Sequence, residues 1–211
     1  MSMKTIVWLL GTLLLIGVVK GALVWSGAYN IAADQPHWRL TERVIETLRN
    51  RSIETRSSDI AVPKLDDESL IRSGAGNYDA MCTGCHLKPG LESTEQSKGL
   101  YPAPPDLTKK RVEDPAAAFW TIKHGVKMTG MPAWGKSMGD PYIWGMVAFL
   151  RELPDLSRDR YDALVETSGG HRHGGTETVP AATEAEKAGG THATEPHSHD
   201  DDHSKAPPHE H

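Results

Sequence analysis

The sequence predicts an all-α chain, and three observations carry that reading. Apolar residues recur at four-residue spacing in several separate stretches, the period of a helix. Asp-Pro pairs open two of those stretches in the manner of helix starts. Glycine (20) and proline (14) are abundant, and no strand–helix–strand setting is present. Only 38% of the 211 residues are hydrophobic, so part of the chain is expected to lie outside any packed core. The length suits one domain with appendages. A formal charge of −5 argues against a nucleic-acid partner.

Residues 1–33 form the first segment. An apolar run extends from Thr5 to Val19 and resumes after Lys20, from Gly21 to Ala28. Read to Val19, it matches a signal-peptide core with Ser26-Gly27-Ala28 as a cleavage site. Read to Ala28, it is long enough to span a bilayer, with Lys20 reaching toward the outer face. Trp25 and Tyr29 would then sit at the interface. The length of the run favours a retained anchor.

Residues 34–66 form an amphipathic connecting helix and linker. Leu40, Val44 and Leu48 place a helix from about Trp38 to Ser57, and Pro63 marks the extended linker after it. Arg39, Arg43, Arg49, Arg51 and Arg56 meet acidic lipid heads or a partner on one reading. On the other they belong to a solvated face laced with Glu42, Glu46 and Glu54.

Residues 67–156 form the central domain. Asp66-Asp67-Glu68 opens a helix with acidic residues at the positive end of its dipole. Gly74, Tyr78 and Cys82 share one face of it, and Gly74 lets another helix cross closely. The expected crossing partner is the last ordered helix, capped by Asp140 with Pro141 in its first turn and ended by Leu153-Pro154. Ile143, Val147 and Leu150 give that helix an apolar stripe, broadened by Trp144 and Ala148. A short middle helix starts at Asp114-Pro115, carries Phe119 and Ile122, and stops at Gly125.

The two cysteines of the chain stand in Cys82-Thr83-Gly84-Cys85-His86. Each thiol can add across one vinyl group of a porphyrin, which requires two sulfurs one helical turn apart. With a histidine next to the second, this is the pattern of one covalently attached haem c, His86 being the proximal iron ligand. A thioredoxin-like redox pair would need a strand–helix–strand setting. A zinc site would need further ligands at finger-like spacing, and there is no second cysteine pair. The stiff stretch Gly99 to Leu107 holds Pro102, Pro104 and Pro105 and cannot be helix interior. It can cover one face of a porphyrin, and one of its carbonyls can accept the His86 ring N–H. Which proline supplies it stays open. A sixth ligand is sought in Lys127 to Gly135, with Met131 first and Met128, His124 or an open position as alternatives. Tyr78, Tyr101, Pro102, Pro105 and Trp134 are haem-pocket candidates, although a lone tryptophan is equally ordinary core.

The spacing Gly74-x-x-x-Tyr78-x-x-x-Cys82-x-x-Cys85-His86, the run Met131-Pro132-Ala133-Trp134-Gly135 and the helix Ile143 to Leu150 together resemble the monohaem class I cytochrome c family. They are most similar to bacterial single-haem domains attached to terminal oxidases. Ser26 to Ala33 and Ile122 to Gly135 are similar to proteobacterial membrane-anchored monohaem cytochromes. The resemblance covers roughly residues 1–156. It implies a cytochrome c fold in which the N- and C-terminal helices cross, His86 proximal and Met131 distal. It further implies a single-pass protein of a Gram-negative inner membrane with its haem domain in the periplasm. Such a protein is a carrier of single electrons rather than an enzyme. Its partners would be a quinol-oxidising complex, a terminal oxidase or a periplasmic reductase.

Residues 157–211 read as a His-rich disordered tail with no apolar period. Eight of the eleven histidines fall after residue 170. His171, His173, His197, His199 and His203 are possible ligands for Cu(II), Zn(II) or Ni(II), set against a solvated tail that binds nothing. Two further functions compete with electron transfer: a haem peroxidase or sensor with a labile distal ligand and His124 as its acid–base group, and a metal-handling protein that uses the tail.

Overall fold

A computed structural model describes residues 1–172 of the chain. These residues are helical, and their one β-bridge pairs Lys88 with Leu91. Helix α1 (Met3–Trp25) starts on a Ser2 side chain that accepts from the Thr5 N–H, and none of its residues is buried. It has a mean hydropathy of 2.2 over a span-length window, the length and composition of a membrane span or a signal sequence. Helix α2 (Arg39–Ser57) follows, one residue from its expected start.

Helix α3 (Glu68–Met81) is capped by the Asp67 carboxylate, which accepts from the N–H groups of Ser69 (2.8 Å) and Leu70 (3.1 Å). Two short helices follow, α4 (Thr83–His86) and α5 (Glu95–Gly99). Helix α6 (Pro115–His124) begins as the sequence predicts, with Asp114 accepting from Ala117 N at 3.0 Å. It stops at Gly125, whose φ of +65° suits a residue without Cβ. Helix α7 (Asp140–Glu152) and helix α8 (Arg158–Glu166) complete the order.

The core forms where α3 crosses α7. A Cβ on Gly74 would lie 2.0 Å from the Gly145 carbonyl oxygen, so the two backbones touch there. That approach lets Tyr78 meet Phe149, ring centroids 5.4 Å apart. Ile143, Met146, Val147, Phe149 and Tyr78 are all at most 1% exposed. Full burial of such side chains stabilises by about 2 kcal/mol each before chain entropy is counted. Helix α6 packs on α7, stacking Phe119 on Trp144 at 4.1 Å, and α2 packs on α6.

Two expectations are corrected. Asp140 does not cap α7. Gly139 holds the cap position without a side-chain bond, and the Asp140 carboxylate pairs with Lys123 Nζ at 2.7 Å. It still places negative charge in the first turn, where the helix dipole favours it. Nor is α7 the last ordered helix, and the stretch from 157 is not all tail. Ser157 caps α8, and Tyr161 is 1% exposed, its hydroxyl donating to Asp79 Oδ1 at 2.8 Å. The chain then runs back along α3. A Cβ on Gly76 would meet Ser168 Oγ at 2.4 Å, and Arg172 N donates to Asn77 Oδ1 at 3.0 Å. His173, His197, His199 and His203 lie outside the described residues.

Candidate haem site

The cysteine motif is shaped by the end of α3. Cys82 N donates to Tyr78 O (2.9 Å), and His86 N donates to Cys82 O (2.8 Å), so one helical turn carries both thiols and the imidazole. Cys82 and Cys85 are unpaired and half-buried. Burial, with the Cys85 thiol adding to it, pushes the Cys82 thiol up to about 12. In the folded chain its sulfur is therefore neutral near pH 7 and a poor nucleophile.

The turn is held from three sides. Tyr78 donates its hydroxyl to Leu87 O (2.7 Å) and, at longer range, to His86 O (3.2 Å). Leu87 is buried and sits at φ +67°, a backbone state that a non-glycine residue keeps only under such constraint. Thr94, the cap of α5, donates its hydroxyl to Gly84 O, and a Cβ on Gly84 would meet Gln96 Oε1 at 2.3 Å. The proline loop closes the third side, with Leu107 N bonded to His86 O (3.2 Å).

His86 Nδ1 lies 2.9 Å from Pro105 O. A carbonyl only accepts, so Nδ1 carries the proton and the ring orientation is fixed. Nε2 makes no hydrogen bond among the described residues. The sequence left three prolines open for this role, and the fold selects Pro105.

The remaining candidates separate clearly. Met131 is half-buried and packs against the core, its N–H bonded to Thr129 Oγ1 (3.1 Å) and its carbonyl to Val126 N (3.3 Å). Met128 is 85% exposed at φ +62°. His124 is exposed, its ring resting on Trp120 at 4.8 Å. Trp134 is half-buried against the same core cluster as Met131 and Cys82. Pro102 and Pro105 are exposed. The Tyr101 hydroxyl is turned to His37, whose backbone N–H it accepts at 3.1 Å, with the rings edge-on at 5.1 Å. His171 is exposed and approaches the Met81 sulfur at 2.9 Å. Among the described residues no group of three or more His, Cys, Asp or Glu is disposed to hold a metal ion.

The roles of Thr94, Gln96 and Leu87 carried no signal in the sequence, because each acts through a backbone contact. Asn77 was also missed. It is fully buried and holds the returning Arg172 backbone, while its Nδ2 has no partner among the described residues.

This donor set fits a covalently held haem. It offers two unpaired thiols one turn apart and an imidazole with one nitrogen bound to a carbonyl and the other open to iron. Helices α3 and α7 crossing beside such a turn define a c-type cytochrome domain. Residues 69–150 match the family model described as cytochrome c oxidase, cbb3-type, subunit III. That stretch is a monohaem c-type cytochrome domain of the kind associated with oxidases, and the family implies haem c. No curated protein and no solved structure matches the chain significantly.

Proposed function

We propose that this chain is a membrane-anchored, extracytoplasmic single-haem cytochrome that passes one electron at a time between respiratory partners. The observation that carries the reading is the bond from His86 Nδ1 to Pro105 O. It sets the imidazole as a preoriented ligand. Cys82 and Cys85 would hold the haem through thioether bonds, and His86 Nε2 would bind its iron. Met131, the methionine packed toward the core, would supply the second iron ligand. Tyr78 and Pro105 position the ligand turn, and Trp134 packs at its edge. When bound, the haem supplies the one-electron couple, and the protein supplies ligands, burial and orientation.

The apolar helix α1 supports anchoring, and attachment of c-type haem on the exported side supports a location outside the cytoplasm. The family match supports an oxidase complex as electron acceptor; in this reading a quinol-oxidising complex is the donor. Cell fractionation with redox titration tests this. The haem-bearing band should require detergent for extraction and titrate as a single one-electron couple. In native membranes it should be reduced by quinol and reoxidised by oxygen. A soluble protein starting near Tyr29 would contradict the anchor. Cyanide or carbon monoxide binding without denaturant would contradict the carrier.

A further inference from the structure

Helix α2 has two faces. Thr41, Arg49, Ser52, Ile53 and Ser57 are partly or fully buried and fall on one side of the helix. That side lies on the domain, where α2 packs on α6. On the other side Leu40 is 74% exposed, Val44 58% and Leu48 69%. Val44, Thr47 and Leu48 share one open surface patch with Arg43 and Arg51. Glu42 and Glu46 fall on the domain-side half of the helix, and Glu54 is occupied by Arg51 at 2.8 Å.

The start of α2 is fixed beside the end of α1. Tyr29, just past Trp25, bonds His37 Nδ1 through its hydroxyl (2.7 Å), and its ring meets Trp38 edge-on at 4.9 Å. Gln35 N bonds Ala32 O (3.2 Å), so a turn over 32–35 shortens the connection between the two helices. A span leaving a bilayer through Trp25 thus delivers the first turn of α2 to the lipid–water boundary. Trp25, Tyr29 and Trp38 are residue types suited to that depth.

We propose that α2 lies on the bilayer surface as an interfacial helix. Leu40, Val44 and Leu48 enter the acyl boundary, Arg43 binds the phosphates of anionic lipids, and Arg51 exchanges its exposed, weakly held Glu54 partner for them. The proposal rests on the reading of α1 as a retained span. It has a consequence for electron transfer. His37 also donates its backbone N–H to Tyr101, in the loop that holds His86 through Pro105. The haem site is then carried close to the membrane in a set orientation rather than on a free tether.

The test uses the full-length holoprotein. Cys82 and Cys85 are consumed by haem, so one added cysteine takes a nitroxide label uniquely. Leu48→Cys and, separately, Leu14→Cys are labelled in nanodiscs of phosphatidylcholine with and without phosphatidylglycerol. Spin relaxation by oxygen, which partitions into lipid, is compared with relaxation by a nickel chelate, which stays in water. The proposal expects the Leu48 label to be several-fold more accessible to oxygen than to nickel. The bias should grow with phosphatidylglycerol and be lost in an Arg43→Glu, Arg51→Glu background. High nickel access (a solvated face) overturns it, and so does low access to both reagents (a protein partner or second copy). The Leu14 label reports α1 separately. If it shows no bilayer-centre signature the span reading falls, while the Leu48 label still decides the fate of the α2 proposal.

Discussion

Gly74 and Gly145 meet backbone to backbone, and that contact sets how closely α3 and α7 cross. A Cβ on Gly74 would stand 2.0 Å from Gly145 O and 2.9 Å from Met146 N. No side-chain rearrangement relieves a clash with backbone. Gly74→Ala is expected to cost about 3 kcal/mol, the upper part of the overpacking range. Gly99→Ala, where an added Cβ meets nothing within 4 Å, is expected to be neutral within about 1 kcal/mol. Guanidinium denaturation of the two holoproteins makes the comparison.

The two loop methionines give opposite expectations. Met131→Ala should abolish the far-red ferric band and leave the iron high-spin or differently ligated. Met128 is 85% exposed, and Met128→Ala should leave the spectrum unchanged. The reverse pattern would reassign the distal ligand.

Helix α8 belongs to the folded domain. The Tyr161 ring lies against Phe149, centroids 5.9 Å apart, and its hydroxyl shares Asp79 Oδ1 with Lys88 Nζ, each at 2.8 Å. Tyr161→Ala should lower stability by about 3–5 kcal/mol, as for other large aromatic deletions. Tyr161→Phe should cost about 1 kcal/mol, since Asp79 keeps its lysine. Thermal denaturation followed at the haem band reads both. An unaffected Tyr161→Ala variant would return this stretch to the tail.

Alkaline pH should weaken the fold in a defined direction. Burial holds the Tyr78 phenol well above its ordinary value of 10.0. Burial, then the bond to Asp79 and its charge, does the same for Tyr161. Both groups lose protons more readily in the unfolded chain, so their contribution is complete below pH 10 and declines as pH rises above it. The denaturation midpoint should fall between about pH 10 and 11, and Tyr161→Phe should flatten that decline. A midpoint independent of pH in this window would contradict the shifts.

What the sequence disclosed was local. Asp114-Pro115, Gly125 and the Gly74-Tyr78-Cys82 spacing each state a backbone requirement within a few residues, and each appears where expected. Asp140 misled because any of the residues before Pro141 can serve as a cap, and the nearby Lys123 claimed its carboxylate. Helix α8 was hidden because its few apolar residues, chiefly Tyr161, Leu164 and Val165, are too sparse to show a period and pack on α3, far away in sequence, and on Phe149 of α7. Pro102, Pro104 and Pro105 are equivalent on paper, and only the folded loop sets Pro105 O against His86. Tyr101 shows the same limit. Its hydroxyl accepts from the backbone of His37, a residue of the connecting segment and a contact with no signal in the sequence.

The most direct test of the central claim is the visible spectrum of the purified holoprotein, oxidised and reduced, beside that of His86→Ala. Sharp reduced bands of a low-spin c-type haem and a far-red ferric band from sulfur on iron are expected. The alanine variant should lose the low-spin signature. High-spin spectra in the parent protein, or an unchanged spectrum in His86→Ala, would contradict it.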